Sequence, residues 1–212
     1  MTRIIYTVAG VDLANYGIVV KSADGLMDLP KPRGRTVQEW TDTHGQMIST
    51  RRPLYSSREI KLSCAMPCEG LGDFAQKATA VKELFMGGDL ITLTAAIGGT
   101  LLPFLVYVDD EISFARKWAG GKLIASFTVK LIEPEPLKRV YKATAASVEL
   151  TISTPTPVNV YWGDGKTQYD ASSGAISHAY RDGKTSHIVI ITGNINNLTS
   201  TLTNSSLLWN LL

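Results

Sequence analysis

Cysteine, histidine and long apolar runs are all scarce in this chain, and each shortage closes a class of function. Only two cysteines, Cys64 and Cys68, occur in 212 residues. That is too few for the disulfide framework of a small secreted domain. The spacing reads as two reduced thiols near a strand end, although Pro67 could supply the tight bend a disulfide would need. A structural zinc site wants four ligands. The three histidines, His44, His178 and His187, show no metal-binding spacing and do not pair with the cysteines. No cofactor is expected. No stretch reaches the about 18 apolar residues of a membrane helix; the longest candidate, residues 100–108, carries Pro103. Residues 1–6 lack the long apolar core of a secretory signal. The expectation is a soluble protein, made in the cytoplasm and not inserted in a membrane. The formal charge is only +2, so no strong attraction to nucleic acid or acidic lipid follows.

Catalytic motifs are missing too. There is no Gly-x-Ser-x-Gly elbow and no phosphate loop. Gly120-Gly121-Lys122 lacks the preceding glycine spacing and the following Ser or Thr, and reads as a strand-leading turn. Asp109-Asp110-Glu111 lacks the spaced oxygen ligands of a calcium loop. With no nucleophile, base or metal cluster in sight, the chain is not expected to be an enzyme.

What is present is β pattern. Residues 58–64 alternate, with Ile60, Leu62 and Cys64 on one face. Residues 90–95 do the same with Ile91, Leu93 and Ala95. Residues 122–132 are the clearest strand, with Leu123, Ala125, Phe127, Val129 and Leu131 inward. Period-two alternation marks a half-buried strand. Residues 104–108 and 111–114 read as a hairpin through Asp109-Asp110, and residues 3–8 and 17–20 as further strands. One segment has helical period: Phe74, Ala78, Val81 and Phe85 share a face. Asp73 and Gln76 suggest a capping box at its start, and Gly87-Gly88 its stop. Glu133-Pro134-Glu135-Pro136 reads as a semi-rigid linker. It divides the chain into residues 1–138 and residues 143–212.

Between residues 29 and 53 the alternation fails. Pro30, Pro32, Gly34, Gly45 and Pro53 punctuate a polar, arginine-rich stretch. A loop that long is either functional or a long hairpin that orders against a neighbour. Lys31, Arg33, Arg35, Arg51, Arg52, Arg58 and Lys61 outnumber the local carboxylates. They form either a solvated face or an interface pairing with carboxylates of a neighbouring copy, a role that suits the planar guanidinium fork. Arg33, Arg35, Arg51 and Arg52 are the candidate subunit contacts. Sequence-specific DNA reading is disfavoured, because no helix carries these residues.

In the second part, residues 148–152, 158–162, 176–180 and 188–191 read as strands. The tail carries leucines at 198, 202, 207, 208, 211 and 212, which either finish the core or leave apolar surface exposed. Gly163-Asp164-Gly165 between β-like runs signals a tight turn, in which Asp164 would bond backbone amides of its own turn. Trp162 would fill the small core. His178 and Tyr180 lie on one strand face, with a packed or hydrogen-bonded role for the histidine. Alternation turns Tyr161 and Tyr169 away from Trp162, which leaves them available to stack on sugar rings. The order Trp162-Gly163-Asp164-Gly165, then His178-Ala179-Tyr180, then the run 187–191 resembles the PKD-like family. That resemblance implies a small immunoglobulin-type β-sandwich, an accessory module and not a catalytic centre.

Residues 1–138 resemble the N-terminal domain of phage distal tail proteins and of related tail-tube proteins. The features are Gly10-Val11-Asp12-Leu13, the Gly45 loop before the strand at 55–64, and the helix around 75–85. Phe104-Leu105-Val106-Tyr107-Val108 and the closing run 125–134 complete them. The resemblance implies a mainly β fold, a β-sandwich or split barrel with one flanking helix. It also implies a hexameric ring of self-associated copies at the tail tip, joined to tube, hub and tape-measure proteins, through which DNA passes unread. The expected function is a non-enzymatic virion subunit of a phage or prophage tail, with an accessory PKD-like sandwich that could contact glycan. A major tail-tube subunit is the alternative. From another class, a cell-surface carbohydrate-binding or adhesion protein is the rival.

Overall fold

The computed structural model describes residues 4–34, 37–42, 44–48, 54–87 and 90–210. The protein is mainly β, and all its strand pairs are antiparallel. The first part holds β1 (Ile5–Val8), β2 (Val11–Asp12), β3 (Val19–Asp24), β4 (Val37–Glu39), β5 (Gln46–Ile48) and β6 (Arg58–Cys68). It continues with α1 (Leu71–Phe85), β7 (Ile91–Ile97), β8 (Thr100–Val108), β9 (Ala115–Ala119) and β10 (Lys122–Glu133). The second part holds β11 (Lys138–Ala143), β12 (Ser147–Ser153), β13 (Val158–Tyr161), β14 (Thr167–Ala171) and β15 (Gly174–Ala179). It ends with β16 (His187–Gly193), β17 (Thr199–Leu202) and β18 (Ser205–Asn210).

Strands β2-β1-β7-β8-β10-β6-β3 run in that order through one sheet, with β9 added on β10. The β8–β10 pairing is only two residues long, Leu131 with Val108 and Ile132 with Tyr107, so the sheet folds over there. The inward residues of both leaves, among them Val8, Ile60, Leu62, Leu93, Phe104, Phe127 and Leu131, make one core. The alternation read in the sequence sets this face: Leu123, Ala125, Phe127, Val129 and Leu131 are all buried. Helix α1 closes the core with Ala78, Val81 and Phe85.

Four expectations change. The 104–108/111–114 hairpin does not form. Residues 111–114 are not a strand, and Phe114 instead packs on Phe74 and Phe127. The hairpin partner of β8 is β7, through Gly98-Gly99, whose φ values of 57° and 91° suit a two-residue turn. Pro103 is tolerated inside β8 because β8 meets β10 only at residues 107 and 108. The helix begins at Leu71, with Gly70 as its cap. Asp73 accepts from the Glu69 amide at 3.0 Å and from Lys77 at 2.8 Å, and Gln76 plays no part in a cap. The helix ends at Phe85, with Met86 as its cap; of the predicted Gly87-Gly88 stop, Gly88 lies outside the described residues. The strand predicted at 17–20 starts later: Gly17 caps a 3-10 turn, Leu13–Tyr16, and β3 begins at Val19. Arg58 is not a surface charge. It is 5% exposed, with its Nε 3.5 Å from Glu133.

The second part stacks a five-stranded sheet, β14-β13-β16-β11-β18, on a three-stranded one, β15-β12-β17. Leu150, Ile152, Val160, Trp162, Val189, Ile191, Leu198 and Leu202 fill the space between. Leu207 is exposed, and Leu211 and Leu212 lie outside the described residues. The outer face of the five-stranded sheet rests on the first part through Leu105, Val140 and Ile190. Trp209 reaches across from β18: its indole N–H donates to the Leu101 carbonyl at 3.1 Å, and its ring meets Phe104 edge-on. Beside Phe104 sit three buried charges. Glu133 ends β10, Lys138 starts β11 and bonds it, and Arg58 lies alongside.

Both thiols are free and buried. Burial pushes the Cys64 thiol up to about 12 and raises Cys68 as well.

Candidate functional site

The arginine-rich stretch leaves the first sheet as an arm. Its base is closed by a Pro32–Tyr55 bridge, by the Arg33 amide donating to Leu54 and by the Ser56 amide donating to Lys31, both at 2.8 Å. Farther out, β4 and β5 form a hairpin in the register Val37–Ile48, Gln38–Met47, Glu39–Gln46. Every residue of both strands is exposed. Trp40 is 54% and Met47 68% exposed, with Val37, Ile48 and Leu54 also open. An isolated two-stranded hairpin is marginal in water, and this one exposes apolar side chains on both strands. Arg33 is exposed at the arm's base; Arg35, Arg51 and Arg52 lie outside the described residues.

Two strand edges stand open near each other. Among the described residues, β3 pairs only with β6, and β2 pairs with β1 only at Thr7 and Val8, with no described partner for Ile5 and Tyr6 on that side. A groove of about 680 Å³ lies between residues 4–6 and residues 18–28. Unpaired edges of this kind are ready templates for another strand.

In the second part, the predicted turn residues come together around an aromatic stack. Trp162 is buried. The His178 imidazole lies flat on it, centroids 4.4 Å apart and planes 5° apart. His178 Nε2 is 2.9 Å from Asp164 Oδ2, and Asp164 Oδ1 accepts from the Lys166 amide at 3.1 Å. Gly163 is required here. Its φ is +84°, and a Cβ would sit 2.5 Å from the Ile188 carbonyl oxygen. Gly165 has φ 87°. Tyr180 donates its hydroxyl to the Trp162 carbonyl at 3.1 Å and stacks on His187, whose Nε2 is 2.9 Å from Asp182 Oδ1. Burial alone would raise the Asp164 carboxyl, but the bonds from His178 and the Lys166 amide hold it below its ordinary value. Asp182 is lowered in the same way by His187 and the Lys184 amide. Both imidazoles use Nε2 on a carboxylate and a ring face on an aromatic neighbour. The arrangement clamps the 162–167 turn to β15 and β16.

The sequence did not single out the second dyad, Asp182 with His187. A signal existed, since Asp182-Gly183 repeats the Asp-Gly turn pattern just before β16. Nor did it single out Glu133. The inward series 123, 125, 127, 129, 131 reaches 133 at its next step, but the flanking prolines disguised it as linker.

Tyr161 and Tyr169 meet edge to face, centroids 6.4 Å apart, and Tyr169 is 64% exposed. Both line a cleft of about 630 Å³ between the two parts, together with Lys142, Lys166 and Lys184. Among the described residues no group of three or more His, Cys, Asp or Glu side chains is arranged to hold a metal ion.

No protein-family model and no curated protein matches the chain. Solved structures do. The Dit protein of phage SPP1, described as a paradigm of the hub adsorption apparatus in phages infecting Gram-positive bacteria, aligns over 90% of this chain and 99% of its own. The TM-score is 0.50 at 14% identity. Two structures of the phage p2 baseplate in its activated conformation, with strontium and with calcium, cover 97% of this chain and 96% of theirs. They give TM-scores of 0.47 and 0.48 at 11% and 9% identity. The chain thus has a fold like that of the SPP1 Dit protein.

Proposed function

We propose that the protein is a non-enzymatic structural subunit of a phage or prophage tail, a distal-tail ring component that links the tail tube to the host-recognition parts. Residues 1–138 would carry assembly. Residues 143–212 would form the outward sandwich, stiffened by the PKD-like Trp162–Asp164 turn. The observation that carries this reading is the exposed apolar hairpin at 37–48, borne on a chain with a Dit-like fold and two open strand edges. Hairpin and open edges are complementary features: one offers apolar side chains, the other unpaired backbone N–H and C=O groups. Repeated around a closing rotation, such a head-to-tail contact makes a ring.

Measurement of the solution mass across concentration, with negative-stain images, tests this. Closed rings of one size are the expected outcome. A monomer at every concentration would contradict self-assembly and shift the weight to a surface-binding protein.

A further inference from the structure

The lining of the cleft between the two parts has a specific chemistry. Its floor is the outer face of the five-stranded sheet, where Ile188 and Ile190 continue the apolar contact made by Leu105 and Val140. Beyond that contact the two faces diverge and leave about 630 Å³, within the usual range for a small-ligand site. Tyr169 stands at its edge. The edge-to-face contact with the half-buried Tyr161 holds the ring, while the exposed ring surface stays open to solvent. A fixed tyrosine offers a large amphipathic contact at low cost in conformational entropy.

The charge around it is one-sided. Lys142, Lys166 and Lys184 line the cleft, and Asp164 is the one acidic residue among the lining. That carboxylate is already occupied by His178 and the Lys166 amide. The Lys184 ammonium reaches to within 4.0 Å of where a Gly10 side chain would begin, across the cleft mouth. Its contact with Asp182 is loose, at 3.7 Å. Hydroxyls of Thr92, Thr94, Thr167 and Ser186 complete the lining. A ring platform, hydroxyls and a lining with more ammonium groups than carboxylates together match a sugar that carries negative charge. Single-stranded nucleic acid would also stack and pair with lysine, but it calls for successive aromatic platforms along a basic track. This cleft has one exposed platform and no arginine.

We propose that this cleft binds an anionic saccharide, with a pyranose face on Tyr169 and its phosphate or carboxylate between Lys142 and Lys184. The inference goes beyond the tail reading and does not rest on it, because binding is read whether the chain is a ring or a monomer.

Calorimetric titration of the full chain with four probes tests it: a phosphodiester-linked glucosyl polymer, polygalacturonate, neutral dextran and an oligodeoxythymidylate. One or both anionic polymers should bind, more weakly as salt rises, and whichever binds identifies phosphate or carboxylate as the anion. Tyr169→Ala and the double variant Lys142→Gln/Lys184→Gln should each weaken binding about tenfold. Tyr107→Ala, an exposed tyrosine outside the cleft, should bind like the unaltered protein. Unchanged melting temperatures would show that the variants fold. Four results would overturn the proposal: no binding of either anionic polymer, equal binding of dextran, equal binding of the oligonucleotide, or unweakened binding by the cleft variants.

Discussion

Replacing Glu133 with glutamine is expected to destabilise the protein by about 3–5 kcal/mol, the usual result of removing one partner from a buried ion pair. Glu133 and Lys138 are fully buried, and Arg58 nearly so. Among the described residues, the carboxylate is the only counter-charge to either cation. Glutamine keeps the shape but leaves an ammonium and a guanidinium in an apolar setting beside Phe104 and Trp209. Thermal melting of the variant should show the loss, at about 2–4 °C for each kcal/mol in a chain of this size. Glu59→Gln, which removes an exposed partner of Lys61, should leave the melting temperature nearly unchanged.

The same cluster sets a pH dependence. Burial lowers Lys138 from 10.5 to about 8, against the pull of Glu133. A lysine held below its unfolded value costs stability while it is charged. That cost is fully present below pH 8 and is relieved between about pH 8 and 10.5. Denaturant midpoints should therefore rise across that window. In Lys138→Met the rise should be absent; an identical rise there would assign it to another group.

Trp162→Ala is expected to cost about 3–5 kcal/mol, and to cost it in one half of the molecule. The Trp162 indole fills the core of the second sandwich and carries the His178 ring, while the main-chain carbonyl that accepts from Tyr180 stays in the alanine variant. The first core shares none of these contacts. Hydrogen exchange should show β13 and β16 losing protection while β6 and β10 keep theirs. Equal loss in β6 and β10 would mean that the two cores unfold as one unit.

Much of this architecture is legible in the sequence, for a physical reason. β6, β7 and β10 each bury one face against the core, so period two is written into residues 58–64, 91–95 and 122–132. Helix α1 shows its period because Ala78, Val81 and Phe85 face one sheet. Strands that bury little leave little pattern. β9 is exposed at every residue, so it carries no alternation of buried and exposed positions. β11 is buried on both faces, by the second core at Tyr141 and Ala143 and by the first part at Lys138 and Val140. Its alternation is therefore blurred, and a lysine at its start looks like surface. The His178–Asp164 contact could be anticipated only as a packed or bonded histidine, since its partner is fixed by the turn and not by spacing along a strand. The cleft was legible only as two tyrosines facing away from Trp162. Its lysines come from β11, from the turn before β14 and from the turn before β16, and no local signal connects them.

Self-assembly through the 37–48 hairpin is decided by the solution mass of a Trp40→Asp/Met47→Asp variant beside that of the unaltered protein. Both side chains are exposed and outside both cores, so the fold should survive with an unchanged melting temperature. The account predicts rings from the unaltered chain and monomers from the variant. A variant that assembles into the same rings would contradict it.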